Sequence, residues 1–271
     1  MDDLIEKSKK GDMVAFQTLY EAFRPKLESF TYRLTADREE TQDILQEVFI
    51  KAHKHIASFK GKSVNIKSWF FSITANHTKN ILTRKKRWHV DAQDVCRDSL
   101  VSSPKDQSAL VNQIQSSPYK QFEMIEHLDF CFTCLGKTLS MEQQLVLILK
   151  DVHQFKVDEI VEITGYSTGS VKHHLHKART KLSKIYQHRC SLVNKKGVCY
   201  QCDELNEIFT GEKHDCAKTY QSLTKNETNP TENGALKSRT KLLQALHPLR
   251  GVGTDLHHHL MEHLKKVNKY D

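Results

Sequence analysis

Apolar residues recur at steps of three and four along most of this chain, a spacing that predicts helices. The clearest stretch is Leu139 to Tyr186. Its first helix starts after Ser140, with Gln143 set to close a capping box, and carries Leu145, Ile148, Leu149 and Val152 as one stripe. The second runs from about Val157 to Thr164 and buries Ile160 and Ile163; Gly165 supplies the left-handed residue that ends it. Ser167 caps a third, longer helix, and Gly169 leaves room at its start. Val171, Leu175, Ala178, Leu182 and Ile185 form the packed face of that helix. Upstream, Phe16, Leu19, Tyr20, Phe23, Leu27, Phe30 and Leu34 share a face, with a kink or break expected at Pro25. After a turn at Thr35 to Asp37, a helix over about Arg38 to Ile56 presents Ile44, Leu45, Val48, Phe49, Ala52 and Ile56 to a core. Ile66, Trp69, Phe70, Ile73, Ile81 and Leu82 are spaced as the core face of another. Met1 to Asp12 reads as a short charged lead-in. No convincing run of alternating strands occurs, so the expected fold is all-α.

The polar positions add chemistry. The outer faces of the third helix carry Lys172, His173, His174, His176, Lys177 and Arg179, and no carboxylate stands between Thr168 and Arg189. Solvated helix faces usually mix signs. A helix apolar on one side and purely cationic on the others suits the DNA major groove, where its N-terminal side chains reach base edges. Between Val48 and Val90 there are ten Lys and Arg and no Asp or Glu, interleaved with Phe59, Trp69, Phe70, Phe71 and Trp88. Cations among rings suit single-stranded nucleic acid. The spacing favours packed roles for Trp69 and Phe70, which leaves the polar loop Ala57 to Asn65, broken by Gly61, for base contact. Asn76, Lys79, Asn80, Thr83 and Arg84 line an outward face, and Arg84 to Arg87 ends it with four cations. Asp43, Gln46 and Glu47 form the opposite kind of patch in an otherwise basic region. On composition alone, acids in the first half of a helix satisfy its dipole as readily as they dock a basic partner.

A formal net charge of +8 over 271 residues points to an anionic partner. No apolar run resembles a signal peptide or spans a bilayer, so a cytoplasmic protein without membrane insertion is expected. Seven cysteines, an odd number, then read as thiols or metal ligands. Residues 91–127, rich in serine, read as a flexible linker between a first helical domain at 1–90 and a second at 128–189; 190–271 form a helical extension. Cys131 and Cys134 with Cys199 and Cys202 could supply four thiolates to one zinc. A redox dithiol and two buried small residues stand beside that reading. No cofactor is otherwise required, and no catalytic triad or phosphate-cradling glycine loop occurs, so no enzyme activity is expected. Metal analysis of the purified chain with and without Cys199→Ser discriminates the readings.

Taken together, these motifs resemble the sigma-70 family of bacterial RNA polymerase sigma factors, in its extracytoplasmic-function group. Asp43-Ile-Leu-Gln46-Glu47-Val-Phe-Ile is similar to the family's region-two helix. Phe59 with Ile66-Lys-Ser-Trp69-Phe-Phe-Ser-Ile73-Thr-Ala-Asn76 is similar to its promoter-melting segment. Leu139 to Leu182 is similar to region four. The resemblance implies that Asp43, Gln46 and Glu47 contact core RNA polymerase. It implies that Lys60, Lys62, Ser63, Asn65, Asn76, Lys79, Asn80, Arg84 and Arg87 hold melted and duplex DNA at the −10 element. It further implies that Ser167, Thr168, Ser170, Lys172, His173, His176, Lys177 and Arg179 read the −35 element. An anti-sigma protein is a further partner the resemblance admits. The alternative is a stand-alone helix-turn-helix regulator with metal- or redox-sensing cysteines, which leaves the acidic set and the cationic aromatic block unexplained. The extension after Arg189 is expected to regulate access to polymerase or DNA.

The resemblance departs at two points: Lys156 replaces the usual Ser or Thr cap, and His173-His174 stand where Ser-Arg is common. Imidazoles touching phosphate should tighten DNA binding as pH falls towards 6. Titrations at pH 6 and 8 should show that gain, and it should vanish in a His173→Ala, His174→Ala double variant.

Overall fold

The computed structural model describes residues 1–61, 63–83 and 120–189, with the isolated positions 236, 240, 243–244, 247–249, 261–262 and 265. Every regular element among the described residues is helical. The helices are α1 (Asp2–Lys9), α2 (Met13–Glu21), α3 (Arg24–Thr35), α4 (Arg38–His55), α5 (Ile66–Leu82), α6 (Lys120–Gly136), α7 (Met141–Leu147), α8 (Val157–Thr164) and α9 (Thr168–Arg189). None is long and apolar enough to cross a membrane.

Helix α1 was not legible as a helix, because Ile5 is the one apolar side chain it buries. Its charges explain it: Asp2 and Asp3 lie in the first turn, Lys7 and Lys9 in the last, and Lys7 pairs with Asp3 at 2.9 Å. Asp12 caps α2 by accepting from the Ala15 N–H at 3.0 Å. The break expected at Pro25 is complete: α2 ends at Glu21, and α3 starts with Pro25 in its first turn, where a missing N–H costs nothing. Ala36 takes φ 57° to end α3, and Asp37 then caps α4, accepting from the Glu40 N–H at 2.9 Å.

Residues 1–86 and 141–175 make one compact unit. The core of its first part is aromatic. Phe16, Tyr20, Phe49 and Phe70 pack with ring centroids 5.0–6.5 Å apart. The Tyr20 hydroxyl donates to the Leu45 carbonyl at 3.0 Å, and burial raises its pKa. On α5 the buried face differs from the expected one. Ile66, Phe70 and Leu82 are buried as anticipated, but Trp69, Ile73 and Ile81 are only half-buried, while Phe71, Thr74, Ala75 and Thr78 are buried. The reason is the segment after α7. A π-helical turn at Ile148–Val152 brings His153 and Phe155 against Phe71, whose ring lies 5.1 and 4.8 Å from theirs. Helix α8 packs along α5.

The second unit comprises, among described residues, 120–140, 176–189 and the isolated C-terminal positions. Leu128, Phe132, Leu135 and Leu139 are buried in it, as are Leu182 and Tyr186 of α9. Lys181 Nζ donates to the Thr138 carbonyl at 2.7 Å. The linker expected at 91–127 overlaps the start of α6 at Lys120; of its other residues only those from 120 onward are described. The helical extension expected at 190–271 lies mostly outside the described residues.

Candidate nucleic-acid interface

Helix α4 separates its two chemistries by helical geometry. Ile44, Leu45, Val48 and Ala52 face the core, so Asp43, Gln46 and Glu47 fall on the opposite side and are exposed. Gln42, beside them, is tied down by a 2.6 Å hydrogen bond to Glu28. Ile50, three residues past Glu47 on the same stripe, is 39% exposed. The sequence reading left Ile50 out of both core and site; its offset from the buried spacing was the available signal. An exposed apolar residue with a polar rim is a make-up that a protein-docking patch can have.

The loop after α4 is built around Phe59. One turn of 3₁₀ helix at Ile56–Ser58 delivers its ring into the fold, where it is 7% exposed and packs 5.4 Å from Trp69. Lys9 Nζ sits 5.6 Å from the same ring centroid. Gly61 passes directly beneath: a Cβ there would stand 2.6 Å from the Phe59 ring. Phe59 is therefore an anchor, and the described residues of the loop after it that expose a side chain are Lys60, Val64 and Asn65. Val64 is 78% exposed, a second apolar surface residue the sequence reading passed over. Asn65 precedes α5 without its side chain capping the helix. Lys62 and the Ser63 side chain lie outside the described residues, as do Arg84 and Arg87. Gly61→Ala should displace the loop and cost about 1–3 kcal/mol of stability, by the usual penalty of overpacking. Chemical denaturation should report that loss.

Along α5, Asn76, Asn80 and Thr83 are exposed. Lys79 is half-buried, because its Nζ lies 4.8 Å from the centroid of the Tyr166 ring. On the inner side His77 meets α4: Lys51 Nζ lies 2.6 Å from His77 Nδ1. Burial, and then the Lys51 charge, lower the His77 pKa, so Lys51 donates to a neutral ring.

The helix-turn-helix follows its sequence signals closely. The Lys156 N–H donates to Glu159 Oε2 at 2.6 Å, so the third residue of α8 supplies the carboxylate half of a capping box, and a lysine can precede it. Gly165 takes φ 71° and returns its N–H to Val161 at 2.8 Å. Ser167 Oγ then accepts from the Ser170 N–H at 3.2 Å. Val171, Leu175, Ala178, Leu182 and Ile185 are buried, and Ser167, Thr168, Lys172, His173, His176 and Lys177 are exposed. Ser170 and Arg179 are half-buried. A Cβ on Gly169 would meet only Ser167 Oγ, at 4.0 Å, so the fold itself does not require glycine there.

Cys131 and Cys134 are both buried on α6 and form no disulfide. Cys199 and Cys202 lie outside the described residues, so the four-thiolate arrangement has no geometry here.

Comparison with known proteins matches both halves of this interface. Residues 19–88 match the family described as Sigma-70 region 2, and residues 131–182 match Sigma-70, region 4. The chain is 28% identical over 185 residues to the ECF RNA polymerase sigma factor SigW of Bacillus subtilis, covering 66% of this chain and 93% of that one. It is 26% identical over 184 residues to the ECF RNA polymerase sigma-E factor of Escherichia coli, covering 68% and 93%. It is 23% identical over 194 residues to the RNA polymerase sigma-H factor of Pseudomonas aeruginosa, covering 68% and 92%.

Proposed function

We propose a residue-level division of labour from the premise that this chain belongs to the sigma-70 family, in its extracytoplasmic-function group. It is a sigma factor: it recognises promoters and acts in transcription initiation. Its partners are core RNA polymerase and promoter DNA. The polymerase-facing surface is the exposed stripe of Asp43, Gln46 and Glu47, with Ile50 as its apolar contact. This carboxylate-and-isoleucine face, in a protein of net charge +8, is the observation that carries the reading.

The remaining assignments rest on exposure for Lys60, Asn65, Asn76, Asn80, Ser167, Thr168, Lys172, His173, His176 and Lys177, and on sequence position for the others. Lys60 and Asn65, with Lys62 and Ser63 between them, hold the −10 bases once melted, and Val64 offers an apolar contact beside them. Asn76, Lys79 and Asn80, continued by Arg84 and Arg87, grip the adjoining duplex through phosphates. Ser167, Thr168, Ser170 and Lys172 lie at the N-terminal end of α9, the end that reaches base edges in the major groove. His173, His176, Lys177 and Arg179 continue the cationic surface. No chemistry is assigned to this chain; bond formation belongs to the polymerase, and the site of action is the cytoplasm. Run-off transcription with core polymerase on genomic fragments tests the reading. Initiation at defined start sites that depends on this chain is expected, and no such site on any fragment would overturn it.

A further inference from the structure

Lys51 stands where the acidic stripe of α4 meets the DNA face of α5, and the assignments above do not use it. It is half-buried on α4, one turn after Glu47. A glutamate followed four residues later by a lysine is the orientation in which helix ion pairs form most readily. Here that pair is not made: neither residue takes part in an ion pair among the described residues. The ammonium turns instead to α5, where its Nζ lies 2.6 Å from His77 Nδ1. His77 has no other hydrogen-bond partner among the described residues, and its Nε2 is buried without one. A buried ring nitrogen left unpaired costs stability, which makes the hold on Lys51 the one polar contact this side chain gains there.

The face of α5 assigned to duplex phosphates is short of charge. Both lysines of α5 lie against aromatic rings: Lys67 Nζ is 4.0 Å from the Phe155 centroid, and Lys79 Nζ is 4.8 Å from that of Tyr166. The exposed side chains of the face, Asn76, Asn80 and Thr83, are neutral. His77 lies one turn before Asn80, so the ammonium it holds comes to the edge of that row. An ammonium has three hydrogens. One is engaged by Nδ1, which leaves two for the oxygens of an anion. Burial, and then the charge of Lys51 itself, keep the imidazole neutral, so the contact leaves the lysine its full charge.

We propose that Lys51 is a phosphate-binding residue of the DNA face and that His77 is its positioning residue, drawing the ammonium across from α4 and leaving the Glu47 carboxylate unpaired for polymerase. Opposite charges that start one turn apart on a single helix are thereby sorted to two different partners. Without an acceptor at position 77, Lys51 falls back on Glu47; the phosphate contact is lost and the carboxylate is masked together. This deepens the sigma-factor reading and rests on it for the identity of the two partners.

The first test uses the full chain without polymerase and a random-sequence duplex with a single-stranded overhang. Such a junction presents phosphates to α5 and bases to the loop after Phe59, and phosphate contacts need no particular sequence. Affinity is measured between about 50 and about 200 mM salt, where each neutralised phosphate contributes roughly 0.9 to the slope of log affinity against log salt. Lys51→Met should lower that slope by about one. His77→Leu should lower it equally, and the double variant no further. His77→Gln keeps an oxygen acceptor for the ammonium and should keep the wild-type slope, a rescue that general loosening of α5 would not give. Should His77→Leu fail to fold, as thermal melts would show, Lys51→Met and His77→Gln decide the matter alone. In the second test, His77→Leu should weaken binding to core polymerase about twofold, the effect of one helix ion pair, and adding Lys51→Met should restore it. An unchanged slope in Lys51→Met, or no binding of the junction by the wild type, would overturn the phosphate contact. A wild-type slope in His77→Leu would overturn the positioning role, and equal polymerase affinities would overturn the unmasking of Glu47. Failure of the sigma-factor reading shows separately, as no run-off product from the wild type, and the salt slopes still decide Lys51.

Discussion

Replacing Asp43 and Glu47 together by lysine abolishes transcription with core polymerase and leaves the fold intact. Both side chains are exposed on α4, and the four residues that anchor this helix, Ile44, Leu45, Val48 and Ala52, point the other way. In the free chain the two carboxylates stand one turn apart and repel each other by a few tenths of a kcal/mol, and two lysines would do the same. Stability therefore changes little. In the proposed complex the same carboxylates meet a basic surface, and the reversal turns each opposite charge there into a like charge. A desolvated charged contact is worth about 2–5 kcal/mol, so the double reversal should weaken polymerase binding by at least roughly 100-fold. Co-purification and a competition assay against unmodified chain measure this. Binding of the −35 duplex by the free chain should be undiminished, since the substitution adds four units of positive charge. Wild-type transcription from the double variant would remove the acidic stripe from the interface. Ile50→Ala should cause a smaller loss, through the lost apolar contact alone.

How legible these features were depended on whether their signal was local. The second and third helices of the Leu139 to Tyr186 stretch were readable almost residue by residue, whereas the first, expected to run on through Val152, ends at Leu147 in a π-helical turn. Helix α8 has the expected ends, Gly165 is left-handed, and Ser167 caps α9, because each feature is dictated by neighbours three or four residues away. The break before Pro25 and the stripe on α4 were readable for the same reason. Two kinds of feature were not. Helix α1 is held by charges placed for its dipole, which leaves no hydrophobic period to find. The buried face of α5 is shared between α3, α4 and the segment around Phe155, so its burial follows contacts from residues some eighty positions away. Phe71, Thr74 and Thr78 are buried there, and Ile73 is not fully so. No periodicity within α5 could have chosen among these. Ile50 was marked only by its offset from the buried spacing of α4, and Val64, in an irregular loop, had no period to be offset from.

Acidification should weaken the first compact unit, and His153→Phe should remove that weakness. His153 lies between Phe30 and Phe71, and its Nε2 is buried without a hydrogen-bond partner among the described residues. Burial first, and then the charges of Arg33, Lys67 and Lys26, hold its pKa well below the ordinary imidazole value of 6.5. Arg33 and Lys26 come from α3 and Lys67 from α5, while Lys150 on its own segment is engaged with the Phe155 carbonyl at 3.1 Å. The ring is thus neutral in the folded chain at pH values where the unfolded chain already takes up a proton. Its contribution to stability is complete above pH 6.5 and declines below it, by at most about 1.4 kcal/mol per pH unit, until the folded-state pKa is reached. Phenylalanine preserves an aromatic ring against Phe30 and Phe71 and has nothing to protonate. Denaturation curves for the two proteins should therefore run parallel above pH 7 and diverge steadily below pH 6.5, with the variant the more stable. His77 is shifted downward for the same first reason, burial, but it is common to both chains and cancels in the difference. Curves that stayed parallel to pH 5 would mean that His153 is already charged in the folded chain, among three cations and two phenylalanines. Because the ring sits within the contact between residues 141–175 and α5, the acid-linked loss falls on that contact before it reaches the aromatic core around Phe16.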